Sequence, residues 1–291
     1  MRLIYYRNQS GTGLAVRANQ TGDYIPFKNL DPSLPNEMNA FLTLGKAGIQ
    51  KVQNALNTSP DNRDVIVPGD LSTTFLAPVS APSKILCVGL NYADHAREFR
   101  DAIPKEPVFF CKAVSSLNHS GGDILLPETS SRVDYEAELV VVIGKRGRNI
   151  SPENAMQYVA GYCCGNDVSA RDWQKEKPAG QWFLGKSFDT FAPIGPELVT
   201  ADEIPDPNNL NIELRLNGQV MQSSNTRCFI FPIDTLIAYV SQVMTLEVGD
   251  LIFTGTPEGT GDARTPPVHL KKGDQIEVSI ESIGVLKNCV V

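Results

Sequence analysis

The stretch Val133-Asp134-Tyr135-Glu136-Ala137-Glu138 places two glutamates two residues apart, and the apolar run Leu139–Ile143 follows directly. On a strand, alternate side chains share a face, so Glu136 and Glu138 project together about 6.6 Å apart at the backbone and can close on one cation. The run after them is apolar on both faces, which makes the strand central and takes Glu138 into protein interior. Paired carboxylates there raise each other's pKa and lose hydration, two costs that a divalent metal removes. Asp167, at the end of the apolar segment Gly161–Val168, is the third candidate ligand. Three carboxylates with no paired His or Cys select a hard cation, Mg²⁺ first, with Mn²⁺ able to substitute. The competing reading is a solvated Glu-x-Glu on an exposed strand face, which the long apolar run weakens.

Only three histidines occur, at 95, 119 and 269. Asp94 is placed to cap a short helix that carries His95 and Glu98 on one face at i, i+3. A carboxylate held against the imidazole fixes its tautomer, and the pair can activate a water and return the proton. An ordinary surface pair is the alternative. Lys112, Arg171 and Lys186 each sit among apolar residues. A lysine at the end of a buried strand can neutralise an oxyanion, and an arginine can hold a carboxylate with its planar fork; taken singly, each is also an ordinary surface charge. The segment Gly255-Thr256-Pro257-Glu258-Gly259-Thr260-Gly261 lacks the lysine of a P-loop and the spacing of a dinucleotide loop. A tight turn whose Thr256 hydroxyl and backbone amides hold a carboxylate is the better use.

The elements that must position these groups are mostly strands. The 291 residues, 42% hydrophobic and 20% charged, describe an ordinary globular chain with enough apolar mass for a packed interior. A net charge of -7 argues against a general nucleic-acid binder. No stretch has signal-peptide or membrane-span character, so a cytoplasmic location is the expectation. The six cysteines form no CxxC pair and read as reduced core thiols, with Cys111 beside Lys112 the one hint of reactivity. Residues 1–78 read as a small N-terminal α/β domain with a helical segment over Phe41–Leu56. Residues 79–291 read as a β-dominated catalytic domain with few helices, the clearest starting at Ser151-Pro152-Glu153 and another spanning about Pro232–Met244. Asn217-Gly218 is the strongest hairpin turn signal.

The order of the segments GLNYADHAREF, FFCKAVSSL, DYEAELVVVIG, GNDVSARDWQ, LGKSFDTFAPIGP and GDLIFTGTPEGTG resembles the fumarylacetoacetate hydrolase superfamily, in its acylpyruvase-like subgroup, over about residues 80–291. The resemblance implies an α+β fold with a mixed β-roll catalytic domain, a homodimer, and Mg²⁺ on Glu136, Glu138 and Asp167. It assigns His95 and Glu98 to a catalytic dyad on a lid segment and sets Lys186 beside the metal. Arg171, Gln174, Lys112 and Thr256 match substrate-contacting positions. The expected chemistry is an enolate formed from a small 2-oxo acid and stabilised by the metal, with C–C hydrolysis of an acylpyruvate-like substrate placed first. Oxaloacetate decarboxylation or tautomerisation at the same site is the alternative, and a non-catalytic metal-binding scaffold is the alternative of another class.

Overall fold

The computed structural model describes residues 1–18, 22–58, 65–68, 70, 72–94 and 103–291. The chain opens with β1 (Arg2–Asn8), β2 (Gly11–Arg17) and β3 (Tyr24–Pro26), then α1 (Phe27–Leu30), α2 (Met38–Thr43), α3 (Gly45–Thr58) and β4 (Thr74–Leu76). Next come β5 (Ile85–Gly89), β6 (Val108–Lys112), β7 (Leu117–His119), β8 (Val133–Asp134), β9 (Ala137–Ile143), α4 (Pro152–Ala155), β10 (Val159–Asn166) and β11 (Ser169–Ala170). The remainder is α5 (Arg171–Glu176), α6 (Trp182–Lys186), β12 (Ala192–Thr200), β13 (Asn211–Leu216), β14 (Gln219–Asn225), α7 (Ile233–Val243), β15 (Leu251–Phe253), β16 (Gln275–Ile280) and β17 (Gly284–Cys289).

Among the described residues one large mixed sheet runs β3-β2-β1-β12-β10-β9-β15-β5-β6, with β4 added to β1 and β7 to β12. A second sheet, β14-β13-β16-β17, packs against it, and β8 pairs with β11 in a short ribbon. The α+β, β-dominated expectation holds. The strands before residue 78 continue the large sheet, because β1 pairs antiparallel with β12 at Arg2↔Val199 and Leu3↔Leu198.

β9 is buried along its whole length, between β10 and β15. Its alternation sorts the two cores. Leu139, Val141 and Ile143 face the four-stranded sheet and α7, while Val140 and Val142 face the core shared with β1, β5 and α2. Glu136 and Glu138 have the parity of the second set, so the carboxylates leave β9 on the β5 side. α7 forms as its apolar spacing requires, burying Ile233, Leu236, Ile237 and Val240. Ser151 is the N-cap of α4 with Pro152 at its first position, and Asn217-Gly218 turns β13 into β14 with φ of 52° and 79°.

All six cysteines are free, but only Cys87, Cys163 and Cys164 are core thiols; Cys111 and Cys228 are partly covered and Cys289 is exposed. Burial pushes the Cys164 thiol up to about 12. Burial also raises Cys111, with Lys84 opposing it, so the lysine next in sequence does not make it a thiolate.

Candidate active site

The β9–β10 ladder builds the carboxylate cluster. Glu138 is paired with Gly165 and Ala137 with Asn166, and one step beyond the ladder the Asp167 amide donates to the Glu136 carbonyl at 2.9 Å. That register sets Asp167 beside Glu136. Gly165 is required there, because a Cβ would lie 2.4 Å from Val140 and 2.8 Å from Phe253. Ligand atoms of Glu136, Glu138 and Asp167 all lie within 4.8 Å of one another, and all three residues are buried.

Cations balance this cluster unevenly. Lys186, at the end of α6, donates to Glu136 Oε2 at 2.7 Å and to Asp167 Oδ2 at 2.8 Å. Lys112, at the end of β6, donates to Asp167 Oδ1 and to the Val168 carbonyl. Arg171 Nη2 meets Glu136 Oε1 at 2.7 Å. Glu138 has no ion-pair partner among the described residues, and only the Gly255 amide, at 2.7 Å, holds its Oε2. Burial first, then Asp167 and Glu136, push its carboxyl well above the usual range. A buried carboxylate lacking a cation, beside two others at ligating distance, fits a hard divalent ion. Burial works against the Lys186 ammonium, but Asp167 and Glu136 outweigh it and hold its pKa above the ordinary value. The same balance, burial against Glu136 and Asp134, holds Arg171 charged.

A cavity of about 110 Å³ opens onto the Glu136 and Lys186 edge of the cluster, with Glu138 and Asp167 behind its wall. It is small beside the roughly 300–1,000 Å³ of pockets for drug-sized ligands, and suits a substrate of a few heavy atoms. Glu136, Arg171, Gln174, Lys186 and Thr256 reach its lining, and Trp182 packs edge-on to Phe110 to form an apolar wall. Arg171 and Gln174 share a face of α5, and Arg171 Nη1 donates to Gln174 Oε1 at 2.9 Å. Thr256 is brought in by the turn after β15. Gly255 has φ of 99°, and a Cβ on it would lie 2.8 Å from Asn91, so glycine is needed for this turn to reach Glu138. Lys112 is in the cluster but not in the cavity wall. His95 and Glu98 lie outside the described residues.

Two residues that the sequence reading passed over hold the site together. Asp134 is fully buried and accepts Arg171 Nε at 2.9 Å and Nη2 at 2.8 Å on Oδ2. It also accepts the amides of Tyr135 and Gly261 on Oδ1 and of Asp262 on Oδ2. Gln222, from the second sheet, accepts the Ala137 amide and donates to the Thr256 hydroxyl at 2.9 Å and the Pro257 carbonyl at 2.8 Å. Asp134 continues the two-residue spacing of Glu136 and Glu138, which was the available signal. Gln222 had none, because a lone glutamine on an amphipathic strand reads as solvent-facing.

Residues 84–291 match the family described as "Fumarylacetoacetate (FAA) hydrolase C-terminal". The chain belongs to the fumarylacetoacetate hydrolase family. It is 47% identical to a bovine (Bos taurus) protein named oxaloacetate tautomerase FAHD2A, mitochondrial, over 100% of this chain and 92% of that one. The human (Homo sapiens) protein of the same name is 46% identical with the same coverage. Among solved structures, the fumarylacetoacetate hydrolase of Exiguobacterium antarcticum superposes with a TM-score of 0.83 at 36% identity, covering 100% of this chain and 99% of that one. Maleylpyruvate hydrolase of Sphingobium sp. SYK-6, in complex with manganese(II) and pyruvate, gives 0.81 at 30% identity, covering 100% and 99%. This fumarylacetoacetate hydrolase family member is therefore an enzyme with a metal-competent acidic triad. The cytoplasmic expectation is corrected, since both mammalian relatives are mitochondrial by name. Mitochondrial transit peptides are amphipathic and Arg-rich and need no apolar signal or span, so the pattern behind the cytoplasmic expectation does not bear on that address.

Proposed function

We propose that this enzyme is a divalent-metal-dependent oxaloacetate tautomerase, interconverting the enol and keto forms of a four-carbon 2-oxo dicarboxylate. The observation that carries the metal-dependent part is the uncompensated, buried Glu138 at ligating distance from Glu136 and Asp167. The names of the relatives, 46–47% identical over the whole chain, support oxaloacetate as the substrate. Glu136, Glu138 and Asp167 would hold Mg²⁺ or Mn²⁺, which when bound would supply Lewis-acid charge that stabilises the enolate of a 2-oxo acid.

Tautomerisation takes one proton from the 2-hydroxyl and delivers one to C3, and it needs no water. Lys186, charged and at the cavity wall, is placed to donate from Nζ to the substrate oxygen that gathers negative charge as the proton moves, with Glu136 and Asp167 steadying the ammonium, and the proton transfer falls to the proposed pair His95 and Glu98. Gln174 and Thr256, both in the cavity lining, orient the substrate. The apolar wall of Trp182 and Phe110 limits water, which favours proton transfer over hydrolysis. His95 and Glu98 remain the proposed dyad, and the homodimer implied by the family resemblance is a matter for sedimentation.

C–C hydrolysis, which the sequence put first, becomes the second reading; the similarity to maleylpyruvate hydrolase, whose structure holds manganese and pyruvate, favours keeping it. The experiment is to follow the ultraviolet absorbance of enol-oxaloacetate on metal-stripped enzyme with and without Mg²⁺, while measuring CO₂ and testing acetylpyruvate in parallel. Mg²⁺-dependent loss of enol without CO₂ supports tautomerisation. Pyruvate and acetate from acetylpyruvate, with oxaloacetate untouched, would return the enzyme to the hydrolases.

A further inference from the structure

The charges of the site leave a gap that one residue outside the proposed set is placed to fill. Among the described residues, four buried carboxylates (Asp134, Glu136, Glu138 and Asp167) stand against three buried cations (Lys112, Arg171 and Lys186). A divalent ion therefore leaves a single positive excess, which one substrate carboxylate uses. A dicarboxylate brings a second negative charge. The buried cations are largely committed to protein oxygens. Arg171 spends Nε and Nη2 on Asp134, Nη2 also on Glu136 and Nη1 on Gln174, which leaves one of a guanidinium's five N–H donors. Lys112 and Lys186 point their ammonium groups at Asp167 and Glu136.

Lys175 follows Gln174 on α5 and is one helical turn from Arg171, so the three share the cavity face at i, i+3 and i+4. Its side chain lines the cavity and is 40% exposed at the rim. Nζ donates to Asp262 Oδ2 at 2.9 Å. Asp262 does not depend on that bond, because Arg132 Nη2 meets its Oδ1 at 2.6 Å and His269 Nε2 lies 3.1 Å from the same oxygen. An ammonium offers three hydrogens, so a substrate carboxylate at the rim can join the partners that Lys175 already has. The Asp262 amide donates at 3.0 Å to the Asp134 oxygen that takes Arg171, which ties this rim to the cavity floor.

We propose that Lys175 is a specificity-determining residue that takes the distal carboxylate of a four-carbon 2-oxo dicarboxylate and selects it over 2-oxo acids with uncharged tails. The proposal rests on the metal-dependent 2-oxo acid reading given above. It is tested by calorimetric binding to the Mg²⁺-loaded enzyme of 3,3-difluoro-oxaloacetate, which cannot enolise, and of pyruvate, which lacks the distal carboxylate. Lys175→Met should weaken difluoro-oxaloacetate about tenfold or more, the scale of a hydrogen bond to a charged group, and change pyruvate by less than about twofold. Lys175→Gln, which keeps a donor for Asp262 and drops the charge, should behave like Lys175→Met, and Lys175→Arg should restore most of the affinity. Equal losses for both ligands, no loss for the dicarboxylate, or a wild type that binds no difluoro-oxaloacetate would each overturn the assignment. Turnover of enol-oxaloacetate by the wild type separates the two levels of inference. Charge-dependent binding without turnover keeps the Lys175 subsite and removes the tautomerase reading, whereas turnover without it does the reverse.

Discussion

Arg171 places Nε and Nη2 on a single oxygen of Asp134, at 2.9 and 2.8 Å, and that oxygen also accepts the Asp262 amide. The pair is sealed from solvent, with side chains 4% and 0% exposed. A fork aimed at one oxygen leaves the arginine's remaining edge to Glu136 and Gln174, so Asp134 fixes the orientation of a cation that borders both the metal cluster and the cavity. The Gly261 amide on Oδ1 ties the loop that carries Thr256 to the same carboxylate.

Asp134→Asn should therefore be severe. An amide NH₂ in place of Oδ2 meets three N–H donors and leaves a buried guanidinium short of a counter-charge, a change of about 3–5 kcal/mol in unfolding free energy. Urea unfolding measures it. A loss below about 1 kcal/mol would mean that water or Glu136 replaces Asp134.

Glu138→Gln should separate stability from metal binding. Burial, Asp167 and Glu136 already disfavour the Glu138 carboxylate, so a neutral amide there costs the metal-free protein little and the metal-free variant should be at least as stable as the metal-free wild type. Mg²⁺ at about a hundred times Kd stabilises a binding-competent protein by about 2.7 kcal/mol, and the variant should lose that increment. Thermal melts in chelator and across a Mg²⁺ titration read both effects, and equal Mg²⁺ stabilisation of the two proteins would remove Glu138 from the ligand set.

The metal cluster was legible because strand period and burial are both written locally: Glu136 and Glu138 stand at a spacing of two before an uninterrupted apolar run. β12 was not. Its Pro193 and Pro196 argue against a strand, yet it pairs with both β10 and β1. Pro196 is accommodated at the register shift opposite Tyr162 and Cys164, where the β10–β12 ladder is interrupted, whereas Pro193 lies where β12 pairs with Asn118 of β7. Asp123–Leu126 is the converse: its apolar run has strand character, yet it forms no regular strand and joins the end of the chain through the bridge Ile124↔Val290 and the bonds of the Ile124 and Leu126 amides to the Cys289 and Val291 carbonyls. The Asp134 hub and the Gln222 strap depend on partners 37 and 34 residues away, at Arg171 and Thr256, distances over which no local pattern speaks.

Lys186→Met should cost turnover far more than fold integrity allows one to explain by unfolding. Removing a positioned charged donor from the developing oxyanion lowers kcat by about 10²–10³-fold. The methionine also leaves Glu136 and Asp167 with one cation fewer, which raises their demand for the metal. Tautomerase rates at saturating Mg²⁺, with circular dichroism to verify folding, decide the matter. A kcat within about threefold of wild type would assign oxyanion stabilisation elsewhere.

Asp262 gives the pH dependence a definite sign. Burial alone would raise its carboxyl, but hydrogen bonds from Arg132, Lys175 and His269 outweigh burial and leave it well below the usual carboxylate range. A carboxyl depressed in the folded state contributes stability that is fully present above its unfolded pKa of about 3.9 and is lost as pH falls towards the folded value. Asp262→Asn removes that contribution at neutral pH but has nothing to lose in acid, where the wild-type carboxyl is itself becoming protonated. Urea midpoints for the two proteins should thus differ at pH 7 and pH 5 by the same amount and converge below about pH 4. A gap that stayed constant through the acid range would place the stabilisation in packing around Asp262 and not in its charge.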